Sequence, residues 1–154
     1  MQLSRILSAS GVLPAVQAGS KKQLLQSLAA HAAPVTGLDE RAIFDVLMQR
    51  EKLGSTGLGN GIAIPHGRFA GLDKVHGFFA RLGKPVDFDA PDHRPVDIVF
   101  LLMAPEGAGA DHLKALARVS RLLRDEALVE KLRATADRDA LYALLMEQAP
   151  SRAA

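Results

Sequence analysis

Several features on which protein function often depends are missing from this 154-residue sequence. It contains no cysteine, which excludes disulfides, thiolate nucleophiles and cysteine-based zinc sites. Apolar runs are short, since even the longest, Val96 to Ala104, falls well below the roughly 18 residues that a membrane span requires. The N-terminus also lacks the apolar core of a signal peptide. We therefore expect a cytoplasmic protein without a membrane span.

Charged residues of one sign do not form a block. The 19 basic and 17 acidic residues are scattered along the chain and leave a formal net charge of +2. Nucleic-acid backbones and anionic membranes are bound by clusters of basic residues, so we expect neither as a partner. With 48% hydrophobic residues, the composition is that of a folded protein. We expect a single domain over residues 1–150 and a frayed tail over residues 151–154.

Helical patterns lie near both ends of the chain. Apolar spacing predicts helices over about 21–31, 39–53, 111–123, 126–134 and 137–148. We expect Pro34 to Leu38 to form the loop that ends the first helix, and Asp39 and Asp111 to be N-caps. In the helix after Asp111, the spacing of Leu113 and Leu116 predicts a buried face.

Strand patterns occupy the middle of the chain. The predicted strands are Val12 to Ala18 at a sheet edge, Gly61 to Ile64, Val75 to Leu82, Val86 to Asp89 and Val96 to Ala104. The last is apolar on both faces, as in the centre of a covered sheet. Together the elements predict an α/β fold: a three-layer sandwich with a mixed β-sheet of about five strands flanked by helices.

The most informative stretch runs from Gly54 to Arg68 and reads GSTGLGNGIAIPHGR. Its glycines allow tight turns and can expose backbone N–H groups. Pro65 favours an extended Ile64 and should end the strand there, so that His66 projects into an open site. A neutral imidazole has a nucleophilic nitrogen at neutral pH. His66 is therefore the candidate catalytic residue.

Groups that can stabilise an anion accompany His66. Arg50, close to the end of a predicted helix, has a guanidinium that can bind two phosphoryl oxygens at once. His112 lies near a predicted helix N-terminus, where the backbone favours negative charge. The predicted anion-binding loop comprises Ser55, Thr56, Gly59, Asn60 and Gly61. The predicted docking rim comprises Leu58, Ile62, Phe69 and Arg68.

Structural alternatives stay open for these residues. Arg50 can complement its own helix C-terminus, and His112 can be an ordinary residue of a first helical turn. We expect no functional role for His31, His76 or His93.

The sequence has no HExxH, GxxxxGK[ST] or GxSxG motif, which disfavours a zinc protease, a nucleotide-binding loop and a hydrolase triad. We therefore expect neither a metal nor a cofactor.

The stretch GSTGLGNGIAIPHGR, with Arg50 before it, closely resembles the signature of the fructose- and mannitol-type enzyme IIA domains of the bacterial phosphotransferase system. The residues of this motif are most similar to those of the nitrogen-regulatory branch of that family. The resemblance covers nearly the whole chain and implies the same α/β architecture. It also implies a phosphohistidine carrier in which His66 accepts the phosphoryl group, while His112 and Arg50 stabilise it.

The resemblance implies an HPr-like phosphodonor protein (NPr), supplied by an upstream enzyme I. Two roles follow from it. A regulator would bind target proteins according to its phosphorylation state, with potassium-transport, sensor-kinase or stringent-response proteins as candidate targets. A sugar-transport IIA component would pass the phosphate to a IIB domain. We expect the regulatory role, because the residues of the motif resemble the nitrogen-regulatory branch and because no IIB segment is attached.

Overall fold

Six strands form one mixed sheet in the computed structural model, which describes residues 2–153. The strands are β1 (Val12–Val16), β2 (Gly57–Gly59), β3 (Ile62–Ala63), β4 (His66–Phe69), β5 (His76–Val86) and β6 (Val96–Pro105). Their spatial order is β1-β5-β6-β3-β2, and β4 also pairs with β6. β5 and β6 are antiparallel, whereas β1 runs parallel to β5, and both β3 and β4 run parallel to β6. The predicted mixed sheet is confirmed, with six strands where about five were expected.

β6 is the central strand, as its apolar sequence predicted. Its residues from Ile98 to Ala104 are fully buried. The separate strand predicted over 86–89 is wrong, because β5 continues to Val86, which pairs with Val96. The pairing register shifts between Arg81 and Val86, and such an irregularity accommodates the exposed Pro85 within a strand.

Five α-helices cover the sheet. They are α1 (Lys21–Thr36), α2 (Glu40–Lys52), α3 (Gly109–Leu122), α4 (Glu126–Arg133) and α5 (Arg138–Ala153). The predicted end of α1 is wrong: the helix passes Pro34 and ends at Gly37, whose φ of 76° is left-handed and whose N–H donates to Ala33 O. Pro34 is tolerated because it gives up one hydrogen bond within the last turn.

The core consists of two layers, one on each face of the sheet. Alternate residues of β6 point to opposite faces, so Ile98 and Phe100 pack in one layer and Val99 and Leu101 in the other. One layer contains the buried side chains of α1 and α2, and the other contains those of α3, α4 and α5. This confirms the predicted three-layer arrangement.

The face that α3 buries differs from the predicted one. It begins at Gly109, and its N-cap residue Ala108 makes no side-chain capping bond, so Asp111 lies in the first turn and does not cap it. Its buried residues are His112, Ala115, Val119 and Leu122, whereas the side chain of Leu113 is 65% exposed. The helix is thus rotated by about one residue from the expected face, which turns His112 inward.

Both ends of the chain contribute to the core, since Leu3 and Leu7 near the start and Leu141 and Leu145 of α5 are buried. The backbone of α5 is helical to Ala153, and Met1 and Ala154 lie outside the described residues. The domain boundary at residue 150 and the frayed tail over 151–154 stay predictions. Within residues 2–153, no helix is both long and apolar enough to cross a membrane.

Candidate functional site

His66 is the first residue of β4. β3 ends at Ala63, as expected for a strand that Pro65 interrupts. The chain then rejoins the sheet, which the sequence did not predict: Pro65 O accepts a hydrogen bond of 3.0 Å from Leu102 N–H, and His66 is the register partner of Leu102 on β6. The imidazole is therefore carried by the central sheet and not by a flexible loop.

One ring nitrogen of His66 is held by the backbone. Its Nδ1 lies 2.7 Å from Ile64 O. Because a carbonyl oxygen only accepts, Nδ1 donates its proton and Nε2 carries the lone pair in the neutral ring. The ring is half-buried, and this burial is the main cause that lowers the pKa of His66. The hydrogen bond to Ile64 O raises the pKa and so opposes that effect. The charge of Arg50 lowers this pKa further, and that of Glu51 raises it. The ring is thus neutral, with a nucleophilic Nε2, at neutral pH.

His112 lies beside His66 in the first turn of α3. The two ring centroids are 5.4 Å apart, and the ring planes make an angle of 69°. The side chain is buried, and its Nε2 has no hydrogen-bond partner among the described residues. Burial lowers the pKa of His112, repulsion from the His66 ring when that ring is protonated lowers it further, and so does the charge of Arg68. An unpaired buried polar nitrogen is costly unless a ligand completes it.

The two histidines open into a shallow cationic depression. It is lined by Val46, Gln49, Arg50, Lys52, Leu53, His66, Gly67, Arg68 and His112. Three of these side chains are permanently positive, and none of the described lining residues is acidic. Leu53 lies at the rim and is 85% exposed. A positive depression with an exposed apolar rim suits an anionic group that is delivered by another protein.

Arg50 combines the two roles that its sequence position allowed. Its Nη1 donates to Gly54 O at 2.9 Å, which complements the C-terminus of α2. The same side chain lines the depression beside His66. The sequence placed Arg50 and His112 together with His66, and the structure brings all three into one site.

The structure does not bring the predicted anion-binding loop to His66. Gly59 to Gly61 form the tip of a hairpin between β2 and β3. Asn60 and Gly61 have φ values of 59° and 81°, as in a two-residue hairpin turn. Ser55 donates its hydroxyl to Phe88 O, and the buried Thr56 donates its hydroxyl to Glu51. None of these five residues lines the depression. The hairpin lies beside Ile98 near the start of β6, whereas His66 pairs with Leu102 further along that strand, and both hydroxyls bond elsewhere.

Most of the predicted docking rim also lies away from the depression. Ile62 and Phe69 are 5% and 4% exposed, so they are core residues. Leu58 is 45% exposed but lines a different cleft, next to Arg94 and on the hairpin side of the molecule. Only Arg68 of the four lines the depression.

Sequence reasoning missed several residues around His66. Among them, Val46, Lys52 and Leu53 line the depression, and Glu51 is a buried acid whose charge acts on the His66 ring. The available signal for Leu53 was an apolar residue at the very end of a predicted amphipathic helix. Nothing in the local sequence marks Glu51 as buried. Among the described residues, no group of three or more histidine or acidic side chains is placed to hold a metal.

Residues 5–148 match the family described as "Phosphoenolpyruvate-dependent sugar phosphotransferase system, EIIA 2". A "Nitrogen regulatory protein" of Bradyrhizobium diazoefficiens is 57% identical over 145 residues, which cover 94% of this chain and 95% of that protein. A protein of the same name from Pseudomonas aeruginosa is 40% identical over 148 residues, 96% of each chain. The crystal structure of "Nitrogen Regulatory Protein IIA-Ntr" from Neisseria meningitidis superposes with a TM-score of 0.88 at 38% identity, covering 93% of this chain and 98% of the other. The chain therefore belongs to the EIIA type 2 family of the phosphoenolpyruvate-dependent sugar phosphotransferase system.

Proposed function

We propose that this protein is a phosphohistidine carrier of the nitrogen-related phosphotransferase system. His66 accepts a phosphoryl group from an HPr-like protein (NPr) that enzyme I has charged, and the phosphorylation state then regulates partner proteins in the cytoplasm. Membership of the family implies a phosphodonor protein of this kind. The observation that carries the proposal is the 2.7 Å contact between His66 Nδ1 and Ile64 O, which leaves Nε2 as the nucleophile facing a cationic depression.

The transfer step is a displacement at phosphorus. The lone pair of His66 Nε2 forms the new N–P bond, while the N–P bond to the donor imidazole breaks and its electron pair returns to the donor ring. His66 keeps the proton on Nδ1 throughout. The ring gains positive charge as Nε2 is phosphorylated, and the Nδ1–H bond to Ile64 O strengthens as it does so.

The surrounding groups act on the transferring phosphoryl group. Arg50 and Arg68 place guanidinium groups in the depression, where they can pair with its equatorial oxygens. His112 Nε2, buried and otherwise unpartnered, donates an N–H hydrogen bond to a phosphoryl oxygen once the group has arrived, and the ring keeps its proton. In this assignment His66 carries the phosphate, and His112 and Arg50 stabilise it.

Regulation follows from the change in charge. A phosphoryl group adds about −1.5 to −2 charges at neutral pH to a depression lined by three cationic side chains and an exposed leucine. Because this offsets part of the local positive charge and adds a bulky anionic group, a partner with an acidic docking surface binds the unphosphorylated form more tightly than the phosphorylated one. The two nitrogen regulatory proteins described above match this chain over almost their full length. This match supports a regulatory role over that of a sugar-transport IIA component.

The first experiment is phosphotransfer from an HPr-type donor charged by enzyme I and phosphoenolpyruvate, followed by intact mass. The wild type gains one acid-labile phosphate, and His66→Ala gains none. His112→Ala still gains it but about a hundredfold more slowly, as expected for the loss of one donor that stabilises the transition state. If the wild type gains no phosphate from a donor that charges a known acceptor, the carrier proposal is wrong.

A second experiment separates the two roles. The phosphorylated protein is mixed with fructose-type and mannitol-type IIB domains, and a sugar-specific IIA protein serves as the positive control. We expect the phosphate to stay on His66 while the control discharges. Discharge as fast as the control would favour the sugar-transport role.

A further inference from the structure

Glu51 is a buried carboxylate next to the candidate site. The residue is only 7% exposed, although it follows directly after Arg50 at the end of α2. Lys21, from the first turn of α1, lies 2.8 Å from Glu51 Oε1 with its own side chain 17% exposed. The same ammonium group lies 4.5 Å from the ring centroid of Phe88. Lys21 therefore neutralises the carboxylate and holds it in place.

Both oxygens of Glu51 accept hydrogen bonds from Thr56. The Thr56 N–H donates to Oε1 at 3.1 Å, and the Thr56 hydroxyl donates to Oε2. Two bonds from one residue to one carboxylate leave that residue little freedom to rotate or shift. The position of the Thr56 backbone is thus set by Glu51.

The backbone transmits this constraint to His66 in two steps. Thr56 O accepts a 3.0 Å bond from Ile64 N–H. Ile64 O in turn accepts the 2.7 Å bond from His66 Nδ1. A continuous series of hydrogen bonds therefore leads from the Glu51 carboxylate to the ring that carries the nucleophile.

The same carboxylate also fixes the other side of the depression. Because Glu51 and Arg50 are neighbours in the last turn of α2, a contact that holds Glu51 against Thr56 holds Arg50 at a constant distance from His66. Phosphoryl transfer depends on such relative positions more than on further covalent chemistry.

We propose that Glu51 is a positioning residue for phosphoryl transfer: by holding Thr56 it fixes the Ile64 carbonyl that orients the His66 ring, and it keeps that ring in register with Arg50. This inference rests on the proposed function for its kinetic part and on the hydrogen bonds alone for its structural part. Net stabilisation is a weak reason to bury this acid, because desolvation offsets most of the attraction within a buried ion pair. The stronger reason to bury Glu51 is that it fixes the relative positions of Thr56, His66 and Arg50.

Four variants test this role. Glu51→Gln keeps the shape of the side chain but removes its charge and one acceptor. Thr56→Val removes only the hydroxyl, and Thr56→Ser restores it. The matched control is Asp97→Asn, which weakens a partly buried ion pair with Arg133 at 3.0 Å and lies outside the series of bonds that ends at His66.

Two readouts are measured on each full-length folded variant. The first is the ¹⁵N chemical shifts of the two His66 ring nitrogens. The second is the single-turnover rate of transfer from the charged donor, together with the Kd of the donor. We expect Glu51→Gln and Thr56→Val to move both ring nitrogens towards the averaged shifts of exchanging tautomers. We expect the transfer rate to fall by roughly ten- to a hundredfold, with the Kd unchanged. Thr56→Ser and Asp97→Asn should behave as the wild type.

The outcomes separate this inference from the proposed function. Wild-type ring shifts and transfer rates in both Glu51→Gln and Thr56→Val would overturn it, and so would an equal loss in Asp97→Asn. If Glu51→Gln does not fold, the comparison of Thr56→Val with Thr56→Ser decides the matter. If the wild type takes no phosphate, the proposed function fails, and the ring shifts still decide whether Glu51 orients His66.

Discussion

Gly67 is the position where the packing of α2 against the site can be tested most directly. A Cβ atom at Gly67 would lie 2.8 Å from Val46 Cγ1 on α2 and 3.4 Å from Cε1 of Phe69. Gly67 does not have a positive φ, so Gly67→Ala introduces no backbone strain and acts through steric overlap alone. Because α2 also carries Arg50, an α2 that moves away from β4 moves away from His66 as well.

The overlap sets the size of the effect. Carbon atoms pack best at about 3.5–4.0 Å, so the new methyl group approaches Val46 about 1 Å too closely. Overpacking of this kind costs about 1–3 kcal/mol. With a urea dependence of about 1–3 kcal/mol per molar, we expect Gly67→Ala to lower the urea midpoint by roughly 1 M.

A double-mutant cycle with Val46→Ala provides the assay. Removing Cγ1 makes room for the new methyl group, so the double variant should recover at least 1 kcal/mol relative to the sum of the two single variants, an interaction of the size found between contacting residues. Gly67→Ala should also slow phosphotransfer, because α2 carries Arg50, and the double variant should recover that rate. Additive losses, or a Gly67→Ala protein as stable as the wild type, would show that α2 and β4 are not packed as described.

Three further predictions concern stability. The lowered pKa values of His66 and His112 mean that the unfolded chain, with pKa values near 6.5, binds protons more readily than the folded one. The contribution of these two neutral histidines to the free energy of unfolding is therefore complete above about pH 6.5. It is lost as the pH falls through their pKa values in the folded state, and urea midpoints at pH 7 and pH 5 measure this loss. Gly61→Ala should cost about 2 kcal/mol, because φ is +81° and the new Cβ would lie 2.5 Å from Arg133 Nη2. Lys21→Met should cost about 3–5 kcal/mol, because it leaves a buried carboxylate unpaired.

Each of these predictions has a matched control. Replacing both site histidines by glutamine should reduce the loss of stability between pH 7 and pH 5, and an unchanged loss would exclude them as its cause. Gly83→Ala, with no atom within 4 Å of the new Cβ, should stay within about 0.5 kcal/mol of the wild type. The same holds for Lys22→Met, whose side chain is exposed. Equal effects in a test variant and its control would contradict the corresponding prediction.

The sequence predicted the site where the signals are local. Pro65 ended the strand, Asp39 capped α2 as expected through its bond to Ala42 N–H, and the apolar β6 became the central strand. His66, His112 and Arg50 are placed together, as the family resemblance implied. In each case the deciding interaction involves neighbouring residues or a long, distinctive pattern, which a single sequence displays.

Some element boundaries were predicted wrongly, such as the end of α1 at Pro34, but the errors that affect the site came from contacts between distant segments. The face of α3 was misassigned because two phases of the helix both offered apolar residues, and only packing on the sheet selected the one that buries His112. The glycine-rich loop looked suited to an anion, but Asn60 and Gly61 form a hairpin turn whose tip binds Arg133, with Asn60 O accepting its Nη2–H. Turn chemistry is local, whereas the direction in which a hairpin points is not.

The sequence by itself determined the fold class, the central strand and the histidine that the chain presents, because hydrophobic periodicity and the stiffness of proline act within a few residues. Only the tertiary structure decided which nitrogen of that histidine is free, which neighbours make the depression positive, and that Glu51 is buried against Thr56 and Lys21. The partners Ile64 and Thr56 are near in sequence, but they take these positions only because the segment is held against β6 and against Lys21 of α1. No local pattern records that packing.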